Sequence, residues 1–241
     1  MKTAHNTVLI TGGTSGIGFA LARRFLHEGN AVIVTGTNAQ KAEAVKSLLP
    51  AITVELADRR DRVALEKLVY NYPDVNILIN NAGVQYNYEF ADPAIAVEQI
   101  ETELDINLLS LLYLTKLFLP QLLSRPTAAI INVSSGLGIV PKQNAPVYCA
   151  SKAALHSFTK TLRWQLEATS VRVFEIIPPL VDTAMTQGRG RGKIKLEALV
   201  EEFWRDFSQD RFEMRIGKTK LLFALQRLMP TLAERIMRPG I

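Results

Sequence analysis

The sequence predicts a single domain of the α/β class, with a doubly wound parallel β-sheet and helices on both faces. Short apolar runs of strand length alternate with longer helical patterns through the first 176 residues, which is the rhythm of βαβ units. Several short runs are apolar at consecutive positions, as strands covered on both faces require. A length of 241 residues fits one domain, 1–241, with one large core.

Six strands and five helices follow in order along this region. The predicted strands are residues 7–11, 31–35, 52–54, 76–80, 128–133 and 171–176. The predicted helices between them are residues 16–28, 39–48, 60–70, 97–119 and 146–168. Right-handed crossovers then place a ligand crevice at the carboxyl ends of the strands.

The character of the chain changes after Pro178-Pro179. A glycine- and arginine-rich loop, residues 187–193, precedes an amphipathic stretch, 196–207, and a short strand, 212–216. We expect residues 184–211 to form a lid over the substrate, within the same domain.

Composition excludes several classes of protein. The net charge of +5 lies entirely in residues 183–241, where acidic residues interrupt the basic ones, so nucleic-acid binding is not predicted. The most apolar stretch, 108–119, is too short and too polar for a membrane span, and no secretory signal is evident. The single cysteine, Cys149, predicts neither a disulfide nor a metal site. A cytoplasmic protein is expected.

The first predicted strand runs into a glycine-rich turn, Thr11-Gly12-Gly13-Thr14-Ser15-Gly16-Ile17-Gly18, at the start of the first helix. Glycines there allow a tight turn and bring backbone N–H groups close to a pyrophosphate. The segment Asn80-Asn81-Ala82-Gly83 follows the fourth strand and is expected at the same crevice. Either segment alone is also compatible with an ordinary turn.

Four polar residues are candidates for chemistry. Tyr148 and Lys152 are four residues apart on a predicted helix, hence on one face. An ammonium beside a phenol lowers the pKa of the phenol toward neutrality, although such a pair is also common on helix surfaces. Ser135 follows a buried strand, where its hydroxyl can hold a carbonyl oxygen. Asn107 lies in an apolar helix, where a satisfied core amide is the alternative.

Together these motifs resemble the short-chain dehydrogenase/reductase family, in its short, non-extended branch. The TGxxxGIG turn, the NNAG segment, Asn107, Ser135 and the YxxxK pair occur in family order and spacing over residues 6–183. Within the family, the pattern is closest to DltE-type oxidoreductases. The resemblance implies a Rossmann-like fold that transfers a hydride between a nicotinamide cofactor and a ketone or secondary alcohol.

The resemblance also implies a role for each site residue. Tyr148 is expected to be the general acid/base, and Lys152 to lower its pKa and bind the nicotinamide ribose. Ser135 is expected to polarise the carbonyl, and Asn107 to anchor a water that relays protons. The expected cofactor-binding residues are Gly12, Thr14, Ser15, Gly16, Ile17, Gly18, Thr37, Asn38, Asn81, Ala82, Gly83, Tyr148, Lys152, Pro178, Val181 and Thr183. Pro179 replaces the usual glycine beside the nicotinamide.

The end of the second strand, Gly36-Thr37-Asn38, decides the cofactor. It carries no acidic residue to accept the ribose hydroxyls of NAD, so NADP is favoured and NAD stays possible. The arginine expected for a 2′-phosphate is also absent, but Thr37, Asn38 and nearby Lys41 offer donors. In the next strand, Glu55 is expected to face the adenine in place of the family's aspartate.

The partners expected are a small carbonyl or alcohol substrate and further copies of the chain, as a dimer or tetramer; neither nucleic acid nor a membrane is expected. A non-catalytic dinucleotide-binding sensor or scaffold is the alternative function, and an epimerase or dehydratase of the extended relatives ranks last. Four cations between residues 189 and 195 suggest an anionic substrate, with a solvated loop as the alternative. Cys149 and His156 are interpreted as helix packing.

Overall fold

In a computed structural model, which describes residues 1–240, seven parallel strands form one sheet in the order β3-β2-β1-β4-β5-β6-β7. The last residue of the predicted domain, Ile241, lies outside the described residues. The strands are β1 (Thr7–Ile10), β2 (Ala31–Gly36), β3 (Thr53–Leu56), β4 (Ile77–Asn80), β5 (Ala128–Val133), β6 (Val171–Ile177) and β7 (Glu213–Arg215). The order reverses between β1 and β4, so a crevice opens there at the carboxyl ends of the strands.

The described residues contain nine α-helices. They are α1 (Gly16–His27), α2 (Ala39–Leu48), α3 (Arg62–Asn71), α4 (Val97–Leu104), α5 (Ser110–Leu123), α6 (Pro146–Gln165), α7 (Leu196–Ser208), α8 (Thr219–Leu228) and α9 (Pro230–Met237). Every helix and strand predicted up to residue 176 is present, with ends that differ by a few residues.

Neighbouring strand residues point to opposite faces and build two cores. Val8 and Ile10 belong to a core shared with α1 and α7, whereas Leu9 belongs to a core shared with α3, α5 and α6. Burial of each strand on both faces explains why its sequence is apolar at consecutive positions. The sheet is therefore a rigid platform whose carboxyl edge is free to hold a site.

The helices α4 and α5 are one continuous helix, Val97–Leu123, joined by a π-helical turn, Asp105–Leu109. Its most apolar window has a mean hydropathy of 1.5, so by length and composition alone it could cross a membrane. In this fold its Leu114, Phe118 and Leu122 are buried against the sheet. Packing in the core accounts for part of that apolar composition.

The segment expected to be a lid, residues 184–211, divides into two parts. The amphipathic stretch predicted at 196–207 forms α7, but its Phe203 and Phe207 are fully buried and pack against Phe25 of α1. This half belongs to the core, because its apolar stripe meets α1 rather than a substrate. Only residues 184–195, hereafter the lid segment, remain as a candidate cover for the crevice.

Candidate active site

A cleft of about 420 Å³ runs along the carboxyl ends of β1, β2, β4 and β5. Most of the predicted cofactor residues line it, namely Gly12, Thr14, Ser15, Gly16, Ile17, Thr37, Asn38, Asn81, Ala82, Gly83, Tyr148, Lys152, Pro178 and Thr183. Gly18 and Val181 do not. Gly18 lies against the backbone of Gly12 within the turn, and Val181 is a buried residue that lines a second pocket.

The glycine-rich turn is as compact as the sequence suggested. Gly12 has a φ of +64°, and a Cβ there would lie 2.7 Å from that of Ala82. A Cβ on Gly18 would lie 2.5 Å from the carbonyl oxygen of Gly12. Ser15 precedes α1 without capping it through its side chain, so the first N–H groups of the helix are free of that bond and can face an anion.

The NNAG segment is tied to this turn by hydrogen bonds. The hydroxyl oxygen of Thr11 accepts from the backbone N–H groups of Asn81 and Ala82, at 3.0 and 3.2 Å. The Asn81 amide donates to the carbonyl of Thr11 at 2.9 Å. The two motifs thus form one wall of the cleft, where either alone could have been an ordinary turn.

A buried chain of amides and hydroxyls fixes the floor of the site. Asn80 of β4 donates to Asn132 of β5 at 2.9 Å and to Thr115 of α5 at 3.0 Å. Asn132 in turn donates to Thr159 of α6 at 2.9 Å. Because each bond is buried, the chain locks both helices to the strand ends.

Tyr148 lies where the cleft and the second pocket meet, since its side chain lines both. Lys152, one turn later on α6, is buried in the cleft and donates to the carbonyl oxygen of Val133 at 2.9 Å. Its ammonium lies 5.8 Å from the centre of the Tyr148 ring. Ser135 lines the second pocket beside Tyr148.

The pKa values of Tyr148 and Lys152 are shifted in opposite directions. Burial raises the pKa of Tyr148 to about 12, against a hydrogen bond with Ser135 that lowers it. Burial, aided by the positive charge of Arg59, lowers the pKa of Lys152 to about 7. The sequence predicts a lowered phenol pKa, but in this structure desolvation outweighs the ammonium, which is bonded to Val133 rather than to the phenol.

Asn107 lies in the π-helical turn and is completely buried. Its side chain exchanges two hydrogen bonds with Val84, accepting from the backbone N–H and donating to the carbonyl oxygen, both at 2.9 Å. It therefore pins the chain just after the NNAG segment and lies outside both pockets. Through these two hydrogen bonds it positions the wall of the cleft.

The far end of the cleft corrects the expectation for Glu55. Its carboxylate accepts a hydrogen bond from Tyr72 and does not line the cleft. Instead Asp58 lines it, because β3 ends at Leu56, two residues later than predicted. The side chain of Arg60 forms an ion pair with Asp58 at 2.7 Å and holds the pKa of that carboxyl below its ordinary value.

Arg59 is a cleft residue that sequence reasoning missed. Its guanidinium is buried, donates to the carbonyl oxygen of Ile106 and reaches the Thr11 hydroxyl at 3.4 Å. Burial lowers its pKa to about 10. No signal in the sequence distinguishes this arginine from its neighbour Arg60, which is exposed.

A second pocket of about 410 Å³ opens on the other side of Tyr148. Ser135, Pro179, Val181, the lid segment and helices α8 and α9 surround it. Of the four cations in residues 189–195, Arg189 and Arg191 line this pocket. Lys193 instead donates to the carbonyl oxygen of Thr186 at 2.6 Å, and Lys195 is an exposed residue that precedes α7.

Two residues interpreted as packing behave differently from each other. Cys149 is buried, and its thiol points at the carbonyl oxygen of Lys142, 3.9 Å away. His156 makes a side-chain hydrogen bond with the buried Glu175 of β6 at 2.9 Å, which raises the pKa of the imidazole. Packing is thus an incomplete description of His156.

Comparison with known proteins agrees with this geometry. The family model for short chain dehydrogenases matches residues 6–193. The chain is 46% identical to the uncharacterized oxidoreductase DltE of Bacillus subtilis over 191 residues, which are 78% of this chain and 76% of that one. It is 39% identical to the NADP-dependent 3-hydroxy acid dehydrogenase YdfG of Salmonella typhi over 180 residues, 72% of each chain.

A solved structure extends the likeness in fold to the whole chain. A short chain dehydrogenase from Burkholderia cenocepacia, crystallised with NADP, superimposes with a TM-score of 0.89 over 99% of this chain and 100% of that one, at 24% identity. The family match covers the glycine turn, the NNAG segment and the Tyr148–Lys152 pair that together build the cleft. The chain belongs to the short-chain dehydrogenase family of oxidoreductases.

Proposed function

We propose that this protein transfers a hydride between NADP and a ketone or secondary alcohol, with Tyr148 as the general acid/base. The observation that carries the proposal is the place of Tyr148, whose side chain lines both the cleft and the second pocket. A proton donor at that boundary can reach a substrate carbonyl in one cavity while a dinucleotide lies in the other.

The cleft suits a dinucleotide. Side chains at Gly12 and Gly18 would collide with Ala82 and with the turn itself, so the backbone is left open to a pyrophosphate. Thr183 and Pro178 close the end beside Tyr148 and Lys152, where a nicotinamide would lie. When bound, the cofactor supplies or accepts the hydride.

The side chains of the chain itself handle the proton. During reduction, the phenol of Tyr148 donates its proton to the substrate oxygen, and the Ser135 hydroxyl donates a hydrogen bond to the same oxygen. The pKa of about 12 keeps the phenol protonated before that step. The Lys152 ammonium, one turn away, stabilises the phenolate that remains.

NADP is the cofactor that the open end of the cleft favours. Thr37 and Asn38 are exposed there and carry no negative charge that would repel a 2′-phosphate. Lys41 lines the same end and adds a cation. The relative from Salmonella typhi is named for its dependence on NADP, which supports the same choice, and NAD stays an alternative.

Three further features belong to this proposal. The lid segment, which borders both cavities through Met185 and the second pocket through Arg189, closes over the substrate. The protein works as a homo-oligomer. It acts in the cytoplasm, with no nucleic acid or membrane as a partner.

The test combines cofactor binding with turnover. NADPH and NADH are titrated by fluorescence, and NADPH consumption is then followed with a panel of ketones for wild type, Tyr148→Phe and the control Tyr113→Phe. We expect Tyr148→Phe to bind NADPH normally and to lose about 10²- to 10⁴-fold in kcat. Retention of a tenth of wild-type kcat by Tyr148→Phe would refute the role of Tyr148, and cofactor binding without turnover of any ketone would favour the sensor or scaffold.

A further inference from the structure

The second pocket carries a strong excess of positive charge. Within residues 1–240, four cationic side chains line it and no carboxylate does; the cations are Lys142, Arg189, Arg191 and Lys218. Among the described residues, none of the four forms a salt bridge. Cations on a protein surface usually find an acidic neighbour or open water, so unpaired cations around a concave site point to an anionic ligand.

Two of these cations converge on one loop beside Tyr148. Arg189 reaches across from the lid segment and donates to the carbonyl oxygen of Gln85 at 3.3 Å. Lys142, which lies just before α6, donates to the Asn87 side chain at 2.9 Å. Both cations thus lie against the loop that follows the NNAG segment.

The arrangement leaves donors unused. The Nη1 atom of Arg189 is buried and has no hydrogen-bond partner. Burial lowers the pKa of Lys142, and the neighbouring charge of Arg189 lowers it further. Two like charges at one half-buried wall destabilise each other. An anion between them would reduce this repulsion and would accept a hydrogen bond from the unpaired Nη1 atom of Arg189.

The opposite side of the pocket is apolar. Leu221, Leu222 and Leu225 of α8, with Ile236 and Met237 of α9, form this side. Leu221 is largely exposed, as a side chain at an open pocket mouth would be. Helices α8 and α9 lie beyond residue 193, where the match to the family model ends.

We propose that the substrate is an amphiphilic hydroxy or oxo acid, whose carboxylate binds Arg189 and Lys142 near the reacting carbon and whose apolar chain lies against α8 and α9. The proposal rests on the proposed function and names its substrate class. In reduction, the carbonyl carbon of the oxo acid gains a hydride from NADPH and its oxygen gains the Tyr148 proton, which gives the hydroxy acid and NADP⁺. The carboxylate takes no part in bond making.

A carboxylate fits the donors better than a phosphate ester. One nitrogen of Arg189 and the ammonium of Lys142 match the two oxygens of a carboxylate, because Arg189 Nη2 is already bonded to Gln85. A phosphate would present three oxygens and a greater charge. The place of the acid close to the reacting carbon follows from Tyr148, Arg189 and Lys142 lining the same pocket.

The first experiment compares acids with neutral analogues. 3-Hydroxy acids of four to ten carbons and their methyl esters are oxidised with NADP⁺ by the full-length protein. We expect kcat/KM at least tenfold higher for each acid than for its ester, and a rise of kcat/KM with chain length. Equal rates for acid and ester, a preference for a phosphate ester over both, or no gain with chain length would overturn the proposal.

Variants then assign the two ends of the ligand. Arg189→Gln and Lys142→Gln should each lose at least tenfold more in kcat/KM with the acid than with its ester, whereas Lys195→Gln, outside the pocket, should change neither. Leu222→Ala should lower kcat/KM for the ten-carbon acid more than for the four-carbon acid. Leu228→Ala, on the exposed side of the same helix, is its control. An Arg189→Gln loss shared equally by acid and ester would contradict the carboxylate contact.

Binding without turnover separates this proposal from the proposed function. Decanoate, which has no group to oxidise, should inhibit wild-type reduction of a neutral ketone competitively and bind at least tenfold more weakly to Lys142→Gln. If ketones turn over but decanoate does not compete, the substrate class is wrong and the oxidoreductase stands. If decanoate and NADPH bind but no carbonyl compound turns over, the proposed function fails instead.

Discussion

At the scale of single residues, the burial of Lys152 places it for the proposed chemistry but lowers the stability of the fold. Its ammonium is buried, with the carbonyl oxygen of Val133 as the hydrogen-bond acceptor. Within the described chain it forms no salt bridge, and the positive charge of Arg59 acts on it. Burial of a charge without a paired carboxylate is unfavourable for folding.

Replacement of Lys152 by methionine should therefore stabilise the fold. The pKa falls from an ordinary 10.5 to about 7 in the folded state, which corresponds to a penalty on the order of a few kcal/mol for the charged form. Between those values the unfolded chain binds more protons, so wild-type stability rises with pH in that window. We expect Lys152→Met to be more stable than wild type at pH 6, with a gain that shrinks from pH 7 to 10.

Urea unfolding at several pH values measures this gain. Lys160→Met is the matched control, because Lys160 is an exposed lysine of the same helix. A gain that is independent of pH, or a loss of stability at pH 6, would show that Lys152 is not held in a strongly desolvating site.

We expect Thr37, which lines the open end of the cleft, to influence cofactor preference. Thr37→Arg should tighten NADPH binding about tenfold through a charged hydrogen bond to the 2′-phosphate and leave NADH unchanged. Thr37→Asp should weaken the binding of NADPH and leave the binding of NADH unchanged. Fluorescence titration of both cofactors measures the ratio, and equal changes for NADPH and NADH would place the 2′-phosphate elsewhere. Gly36→Asp is a poorer test, since a Cβ there would lie 2.6 Å from Thr14.

Motifs predicted most of the cleft, but not the residues whose role depends on where a strand ends. Asp58 and Glu55 are both acidic and three positions apart, and only the last residue of β3 decides which one reaches the cleft. Of the unpaired cations in the second pocket, the sequence indicated a role only for Arg189 and Arg191, which belong to the cluster at residues 189–195. Arg189 and Lys142 are 47 positions apart along the chain, so composition alone could not bring them together.

At the scale of elements, α7 is a core helix. Its Phe203 is fully buried and stacks on Phe207, with ring centres 5.4 Å apart. We expect Phe203→Ala to lower the free energy of unfolding by about 3–5 kcal/mol. Glu197→Ala, on the exposed side of the same helix, should change it by less than about 0.5 kcal/mol.

Denaturant unfolding of both variants decides between a core helix and a cover. If α7 were a mobile cover, Phe203→Ala would leave stability nearly intact and act on substrate kinetics instead.

Hydrophobic periodicity explains both the success and the failure at α7. The spacing of its apolar residues predicts a helix with one buried face, but it does not say which element that face meets. Helices α8 and α9 were not predicted at all. Their apolar residues do follow a helical spacing, although Leu221, Leu228 and Ile236 are partly exposed.

At the scale of the whole molecule, the continuous helix formed by α4 and α5 has a second apolar side. Val97, Leu109 and Leu123 are exposed on it although Leu114 and Phe118 are buried in the core. A helix of 27 residues is about 40 Å long, enough to bury on the order of 800 Å² from each partner in a stable interface. This side is where we expect the proposed homo-oligomer to form.

Sedimentation measures the assembly directly. Wild type should sediment as a multiple of 26.8 kDa, and Leu109→Arg, which places a charge in the expected interface, should shift it toward the single chain. Leu228→Arg changes a side chain that is 77% exposed on α8 and should leave the assembly intact. Dissociation by Leu228→Arg alone would assign the interface to α8 instead.

The π-helical turn at Asp105–Leu109 sets the rotational phase of the long helix. One additional residue per turn rotates everything beyond it by about 100° relative to a regular helix. With the turn in place, Asn107 faces Val84 while Leu114, Phe118 and Leu122 still face the sheet. A single deletion there would put the two halves out of phase, so that either the wall of the cleft or the core would lose its side chains. Insertions and deletions should consequently be tolerated far better in the loop before Val97 than within these five residues, even though both are near the site.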